Sequence, residues 1–382
     1  MSQGVFDLPL HPKKVAAGLK ACAHGGINYA EMKALGIDPD NILDFSVSTN
    51  PFMPPPGIKE IISAAPITQY PDSQCTGLRQ KLSEKLGVSP ENILAGSGTT
   101  ELIRLIAFVY LRQRDRVLII EPGYGEHEVA CRLAGARLIK HDTTEKESFK
   151  PHVEELTDQI HRQKPHAVFI CNPNNPAGYY LTRKEIEKVL VASGDGLLVI
   201  DEAYIAFAVK SRGSLDLINQ GNVIVLRSMT KDYGIPGLRL GYAVSNNKII
   251  DSLRPALPPW NVNSIAQNAG VYVLGQEEYL LQSLQQTQAA KRFLTGELTR
   301  LGFKVLRSSA NYFLVKVGNA KEFRRSLLAK GILVRDCSSF GLEEYIRVAP
   351  RTLPECRKLI RAINDIVYGR VDTVSTPEEK LI

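Results

Sequence analysis

Between residues 90 and about 245, short strands that are apolar along their whole length alternate with longer amphipathic stretches. The strands are 117–120 (VLII), 167–171 (AVFIC), 197–200 (LLVI), 223–226 (VIVL) and 241–244 (GYAV). A strand with no polar face must be covered on both sides, and the intervening stretches are long enough to be crossover helices. This pattern excludes a one-faced antiparallel meander and predicts an α/β fold with a mostly parallel central sheet flanked by helices. Helical periodicity over 29–35, an apolar stretch at 42–45 and the proline-rich linker 50–57 (NPFMPPPG) precede it. A helix-rich segment at 261–301 follows. Residues 304–366 then read strand, helix, strand, strand, helix, the pattern of a small α+β domain.

With 382 residues, 44% hydrophobic and 23% charged, the chain has the composition of an ordinary globular protein, which excludes collagen-like and wholly disordered polymers. Lys plus Arg is 47 against 40 for Asp plus Glu, a surplus of +7 that favours anionic partners without choosing among nucleic acid, acidic lipid and phosphorylated metabolite. The six cysteines (Cys22, Cys75, Cys131, Cys171, Cys337 and Cys356) are scattered without a C-x-x-C pair, so neither a zinc site nor a disulfide framework is visible. A reducing cytoplasm is expected. Three residues, Asp7, Pro9 and Pro12, break the N-terminal stretch, which lacks a signal-peptide core, and no window of 18 apolar residues predicts a membrane span. The tail 369–382 lacks apolar periodicity and reads as mobile.

Three places carry chemistry. The segment 94–108 (LAGSGTTELIRLIAF) sets glycines and hydroxyls before a periodic helix, so the N–H groups of Gly98, Thr99 and Thr100 would face an anion, or simply belong to a capped helix. Glu101 replaces the third glycine of a dinucleotide fingerprint, and no Gly-Lys-Ser/Thr follows as in a P-loop. Asp201 ends an apolar strand, where α/β proteins place ligands; it reads as a buried carboxylate in need of a cation, a helix cap or a metal ligand. Lys231 follows the next strand, with Ser228 and Thr230 before it and Arg239 after it. Taken singly it is a loop lysine; in this company it is a candidate nucleophile toward carbonyls.

Together these segments resemble fold-type I pyridoxal 5'-phosphate (PLP) enzymes of the histidinol-phosphate aminotransferase-like branch, and most closely the L-threonine O-phosphate decarboxylases of cobalamin biosynthesis. The likeness runs from His24 to about Val367. It rests on HGG from His24, DFSVSTNP from Asp44, QYPD from Gln69, GSGTTE from Gly96, EPGYGE from Glu121, NPNNPAG from Asn172, DEAY from Asp201, LRSMTK from Leu226, IPGLRLGY from Ile235, PWNVNS from Pro259, ILVRDC from Ile332 and YIRVAPR from Tyr345.

The resemblance implies a large PLP-binding domain over 51–262 and a small substrate-capping domain from 1–50 and 263–368. It assigns Lys231 to the Schiff base with PLP, Asp201 to the pyridinium nitrogen, Asn175 and Tyr204 to the phenolic oxygen, and Tyr124 to the ring face. The cofactor phosphate would meet Gly98, Thr99, Thr100, Ser228, Thr230 and Arg239, with Tyr70 reaching in from the other subunit of a homodimer. Catalysis would rest on Lys231, Asp201 and Tyr204.

The substrate implied is a phosphorylated amino acid, bound by His24, Gly25, Ser48, Asn175, Arg335 and Arg347, with no nucleic acid, membrane or metal involved. Arg347 would meet the α-carboxylate and Arg335 the phosphate. The expected reaction is decarboxylation of L-threonine O-phosphate. Transamination of histidinol phosphate or a related compound is the alternative, and Ser48, where the decarboxylase pattern carries Asn, leaves room for L-serine O-phosphate. The competing readings are His24 as a turn residue and Arg335 as a surface ion-pair partner, while Trp260 is equally core packing or pocket lining.

Overall fold

The computed structural model describes residues 14–19, 22–209, 211 and 213–369, so all but the first residue of the tail expected to be mobile lies outside the described residues. The first eight strands are β1 (Leu43–Asp44), β2 (Ile93–Gly96), β3 (Arg116–Glu121), β4 (Arg137–Asp142), β5 (Ala167–Cys171), β6 (Leu197–Asp201), β7 (Val223–Ser228) and β8 (Gly241–Ser245). Five more follow: β9 (Lys304–Val305), β10 (Phe313–Lys316), β11 (Ile332–Leu333), β12 (Arg335–Asp336) and β13 (Tyr345–Val348).

Seven strands form the central sheet in the order β2-β8-β7-β6-β5-β3-β4. The run from β7 to β4 is parallel, and only β8 is antiparallel to its neighbours β7 and β2. Side chains alternate across the sheet, so Leu118, Val168, Leu198 and Val225 are buried in the core on one face, and Val117, Phe169, Val199 and Ile224 in the core on the other. Helices cover both, as the unbroken apolar strands require. The sequence reading missed β2 and β4, which are the two edge strands. Of these, β4 (RLIKHD) pairs on one side only, and its charged residues at both ends and in the middle suit a half-exposed edge rather than a buried centre.

A second sheet, β12-β13-β10-β9, is antiparallel. Phe313, Val315, Ile346 and Val348 pack there against Leu294 and Leu298 of the long helix Glu277–Arg300 and against Leu359 and Ile363 of the helix Leu353–Tyr368. The N-terminal part of the chain is stitched to this unit. β1 pairs with β11, the fully buried Phe45 joins the same core, and the Phe45 carbonyl accepts the Ala349 N–H at 2.9 Å. That stitching carries residues 24–48 to the ends of the large sheet's strands. The helix Ser264–Leu274, by contrast, buries Ala266, Ala269, Val273 and Leu274 in the large sheet's core. Among the described residues no helix is long and apolar enough to cross a membrane.

One buried cation ties the long helix to the small sheet. Lys291, with 7% of its surface exposed, donates to the Ser308 carbonyl at 2.5 Å and the Ala310 carbonyl at 2.6 Å. Burial pushes its pKa down to about 8. The unfolded chain, where this lysine keeps its ordinary value near 10.5, therefore binds the extra proton between these limits, and the contribution of Lys291 to stability rises with pH across them. Denaturant unfolding of the parent and of Lys291→Met at pH 8, 9 and 10 should show the parent gaining stability relative to the variant as pH rises, which cancels the opposing contributions the two proteins share.

Candidate active site

Asp201 ends β6, and β7 runs into the four-residue helix Met229–Asp232, whose third residue is Lys231; the two strands are neighbours, with Asp201 in register with Leu226. Lys231 stands in a helical turn rather than the loop expected. A cavity of about 140 Å³ opens there, lined by Lys231, Asp201, Tyr204, Asn175, Tyr124, Thr99, Ser48, His24, Gly25 and Arg347 among others. Ten of the predicted site residues thus come together from segments spread over more than three hundred positions.

Burial, with Arg347 and Arg239 adding like-charge repulsion and Asp201 opposing, lowers the Lys231 pKa to about 8. Its amine is therefore far more often neutral, and so nucleophilic, than an ordinary lysine's at neutral pH. Asp201 is 2% exposed. Its Oδ1 accepts the Ala203 N–H at 3.1 Å, and its Oδ2 lies 3.3 Å from Nε2 of the buried His127. The sequence reading asked for a partner to this carboxylate and missed His127. The signal was the spacing from Tyr124, three residues earlier, which starts the helix Gly125–Leu133 and turns both side chains to the same side. Burial holds the hydroxyls of Tyr204 and Tyr124 protonated, the latter with its pKa near 12.

Beside the cavity the helix Thr99–Tyr110 begins at Gly98, which has φ +80° and provides no side-chain cap, so the first amides of this helix are available to an anion. A Cβ on Gly98 would stand 2.7 Å from a guanidinium nitrogen of Arg239, so glycine is what lets Arg239 lie against this helix start. Ser228 and Thr230 share a hydrogen bond of 2.8 Å, and Thr100 Oγ1 lies 3.2 Å from the Tyr124 hydroxyl. The rim of the cup is thus continuous with the cavity.

A larger cavity of about 400 Å³ adjoins and shares His24, Gly25, Tyr124, Asn175 and Arg347; it adds Arg335. The small sheet sets its geometry, because Arg335 on β12 is directly opposite Arg347 on β13. Arg347 is buried and bonds only to neutral acceptors, Asn175 Oδ1 and the Ser46 carbonyl at 3.1 Å, while its Nε has no partner. Arg335 donates to the Ala23 carbonyl at 2.8 Å and the Ser339 hydroxyl at 2.7 Å, so it is not the surface ion-pair partner that sequence allowed. Burial, then the charge of Arg347, lowers its pKa. Like charges placed directly opposite on paired strands repel, and two anionic groups a few ångströms apart would relieve both. His24 is more than a turn residue: its Nε2 is 3.4 Å from Glu126, which also holds Arg104 at 3.0 Å. Ser48 is buried with its hydroxyl unpartnered.

Two aromatic residues fall elsewhere. Tyr70 is 77% exposed and does not line the cavity of its own chain; it stacks on Trp260 with ring centres 4.2 Å apart. Trp260 is neither core nor lining of this cavity but the 43%-exposed partner in that stack. All six cysteines are unpaired thiols, and among the described residues no group of His, Cys, Asp and Glu has the arrangement of a metal site.

Residues 40–363 match the family model described as aminotransferase class I and II. The chain is 34% identical to the histidinol-phosphate aminotransferase of Methanocaldococcus jannaschii, covering 93% of this chain and 97% of that one. It is 35% identical to the adenosylcobalamin biosynthesis bifunctional protein CobDQ of Leptospira interrogans, covering 91% of this chain and 41% of that protein. Among solved structures it is similar to the L-threonine-O-3-phosphate decarboxylase from Porphyromonas gingivalis, with TM-score 0.76, 27% identity and coverage of 85% of this chain and 98% of the other.

The lowered pKa of Lys231 can be read directly. Labelling of cofactor-free protein with an amine-specific acylating reagent, followed by peptide mass spectrometry, should show Lys231 reacting half-maximally near pH 8, below the pH that an ordinary lysine amine requires.

Proposed function

The chain belongs to the class I and II aminotransferases, a family of PLP-dependent enzymes, and on that footing we propose that it decarboxylates L-threonine O-phosphate to (R)-1-amino-2-propanol O-phosphate for cobalamin biosynthesis. The observation that carries the reading is the pair Arg335 and Arg347, in register on adjacent strands and, among the described residues, bonded only to neutral groups. A substrate with a carboxylate and a phosphate occupies both at once. Histidinol phosphate has no carboxylate and occupies one.

The donor set fits PLP. An uncapped helix start with Arg239 against it suits a phosphate, a buried carboxylate held by His127 suits a pyridinium N–H, and a lysine of lowered pKa suits an aldehyde carbon. We assign the phosphate to Gly98, Thr99, Thr100, Ser228, Thr230 and Arg239, with Tyr70 supplied by a second copy of the chain, since Tyr70 is exposed and away from its own cavity. Asp201 is assigned to the ring nitrogen, Asn175 and Tyr204 to the phenolic oxygen and Tyr124 to the ring face. Cofactor holding falls to residues 51–262 and substrate capping to 1–50 and 263–368, with the helix Ser264–Leu274 among the parts of the second segment that pack on the first.

When bound, PLP supplies the electron sink for the pair left at the substrate's α-carbon. The chain's own task is orientation. Arg347 takes the α-carboxylate; Arg335, with His24 and the backbone at Gly25, takes the phosphate and sets how far the carboxylate turns out of the ring plane. Ser48, its hydroxyl unpartnered, faces the same space and stands where discrimination between threonine phosphate and serine phosphate would be made. Departure of carbon dioxide leaves an α-carbon that must gain a proton, and Lys231, whose pKa lies near 8, is the side chain in the cavity suited to deliver it.

The similarity to histidinol-phosphate aminotransferases favours transamination as the second reading. Purified holoenzyme given L-threonine O-phosphate should release carbon dioxide with no 2-oxo acid present; turnover strictly dependent on 2-oxoglutarate would overturn decarboxylation. Replacing Arg335 with alanine should weaken binding of the phosphorylated substrate by about 1.5–3 kcal/mol, roughly ten- to a hundredfold, and leave binding of unphosphorylated threonine nearly unchanged, as titration with both ligands would show.

A further inference from the structure

Tyr312 immediately precedes β10, is fully buried and does not line either cavity. It nevertheless touches three parts of the site. The guanidinium carbon of Arg347 lies over its ring, 4.9 Å from the centre. The ring of Tyr204 meets it edge to face at 4.8 Å and 83°. Its hydroxyl donates to the Asn174 carbonyl at 2.7 Å, fixing the turn whose next residue, Asn175, accepts from Arg347.

These contacts divide the control of Arg347 between edge and face. Hydrogen bonds to Asn175 and Ser46 hold the guanidinium by its edge, and with Nε unpartnered they leave it free to tilt about the line joining those two anchors. A ring lying against the guanidinium at this distance restricts that freedom, because a guanidinium is planar and packs on aromatic faces. A carboxylate bound by both prongs of the fork takes the plane of the fork, so the tilt of Arg347 becomes the tilt of the bond that breaks. Burial holds the Tyr312 hydroxyl far above its usual pKa, so it remains a neutral donor at any working pH.

We propose that Tyr312 is a positioning residue: its aromatic face sets the plane of Arg347 and thereby the share of turnovers in which the carboxylate, rather than the α-hydrogen, is lost. The inference rests on the assignment of Arg347 to the substrate carboxylate. In the favoured course the bond to the carboxyl carbon breaks, carbon dioxide leaves and a proton takes its place on the α-carbon. In the other course the α-proton passes to the cofactor's aldehyde carbon, the nitrogen stays with the cofactor, water supplies a keto oxygen, 2-oxo-3-phosphooxybutanoate leaves, and a 2-oxo acid co-substrate takes up the nitrogen before the next turnover.

The test compares Tyr312→Leu and Tyr312→Met, two independent non-aromatic fillings, with Tyr312→Phe, which keeps the face and loses only the hydroxyl. Holoenzyme of each, checked for retained cofactor by its visible absorbance, is titrated calorimetrically with 3-phosphooxybutanoate, which carries both anions and no amine to react. Each is then assayed with L-threonine O-phosphate, with 2-oxoglutarate present to take up the retained nitrogen, for the ratio of carbon dioxide to phosphorylated 2-oxo acid. Leu and Met should weaken binding at least tenfold and raise the 2-oxo acid share, whereas Phe should recover binding to within about threefold of the parent. Binding within twofold of the parent in either folded non-aromatic variant overturns the proposal, as does a Phe variant as impaired as the other two. If the parent releases no carbon dioxide, the decarboxylase reading fails by itself, and the titration still decides whether Tyr312 positions Arg347.

Discussion

Arg347 is a buried cation whose hydrogen bonds all go to neutral groups, and the arrangement of the site follows from that condition. A charge removed from water without a counter-ion is expensive to keep, and the fold offsets only part of that with two carbonyl oxygens and an aromatic face. The remainder is available to a ligand. Placing Arg335 directly opposite adds repulsion that the same ligand relieves, so the small sheet stores affinity for a molecule with two anionic groups. The large sheet has no comparable demand; its strand ends supply Asp201 and Lys231, whose task is held in one carboxylate and one amine.

The two sheets meet because the N-terminal part of the chain belongs to the small one. With β1 paired to β11, and Phe45 in the core beside the helix Leu353–Tyr368, residues 24–48 are carried across the strand ends of the large sheet, where His24, Gly25 and Ser48 enter the cavity and the Ser46 carbonyl takes a bond from Arg347. A segment early in sequence and one late in sequence thus form a single wall. It is why residues more than three hundred positions apart share one small space.

What could be read in the sequence was what local pattern controls. Strands apolar on both faces announce a covered parallel sheet, and a lysine or aspartate at the end of such a strand is in the place where ligands bind. The edge strand β4 was hidden because its solvent face breaks the apolar run, and β2 because its four residues merge into the glycine turn that follows. Within the site, His127 and Tyr312 were hidden for another reason. Each acts through a second residue, His127 on Asp201 and Tyr312 on Arg347; such a contact lies in tertiary packing, and for His127 the spacing from Tyr124 marks the side it faces but not the partner it reaches. Tyr70 and Trp260 mark the opposite limit: their motifs were visible, but their mutual stack, outside their own chain's cavity, was not.

Two lysines show what separates a structural cation from a chemical one. Lys231 and Lys291 are both driven by burial to a pKa near 8, so titration alone cannot tell them apart. Lys291 uses its N–H groups on two backbone carbonyls and lines none of the cavities around the site, so its low pKa is a consequence of holding a helix against a sheet. Lys231 faces open space with two arginines and a carboxylate acting on it. After burial, the largest influence lowering its pKa is Arg347, the cation assigned here to the substrate carboxylate. Once such a substrate binds, its negative groups screen Arg347, and the lysine's affinity for a proton must rise when the reaction calls for one.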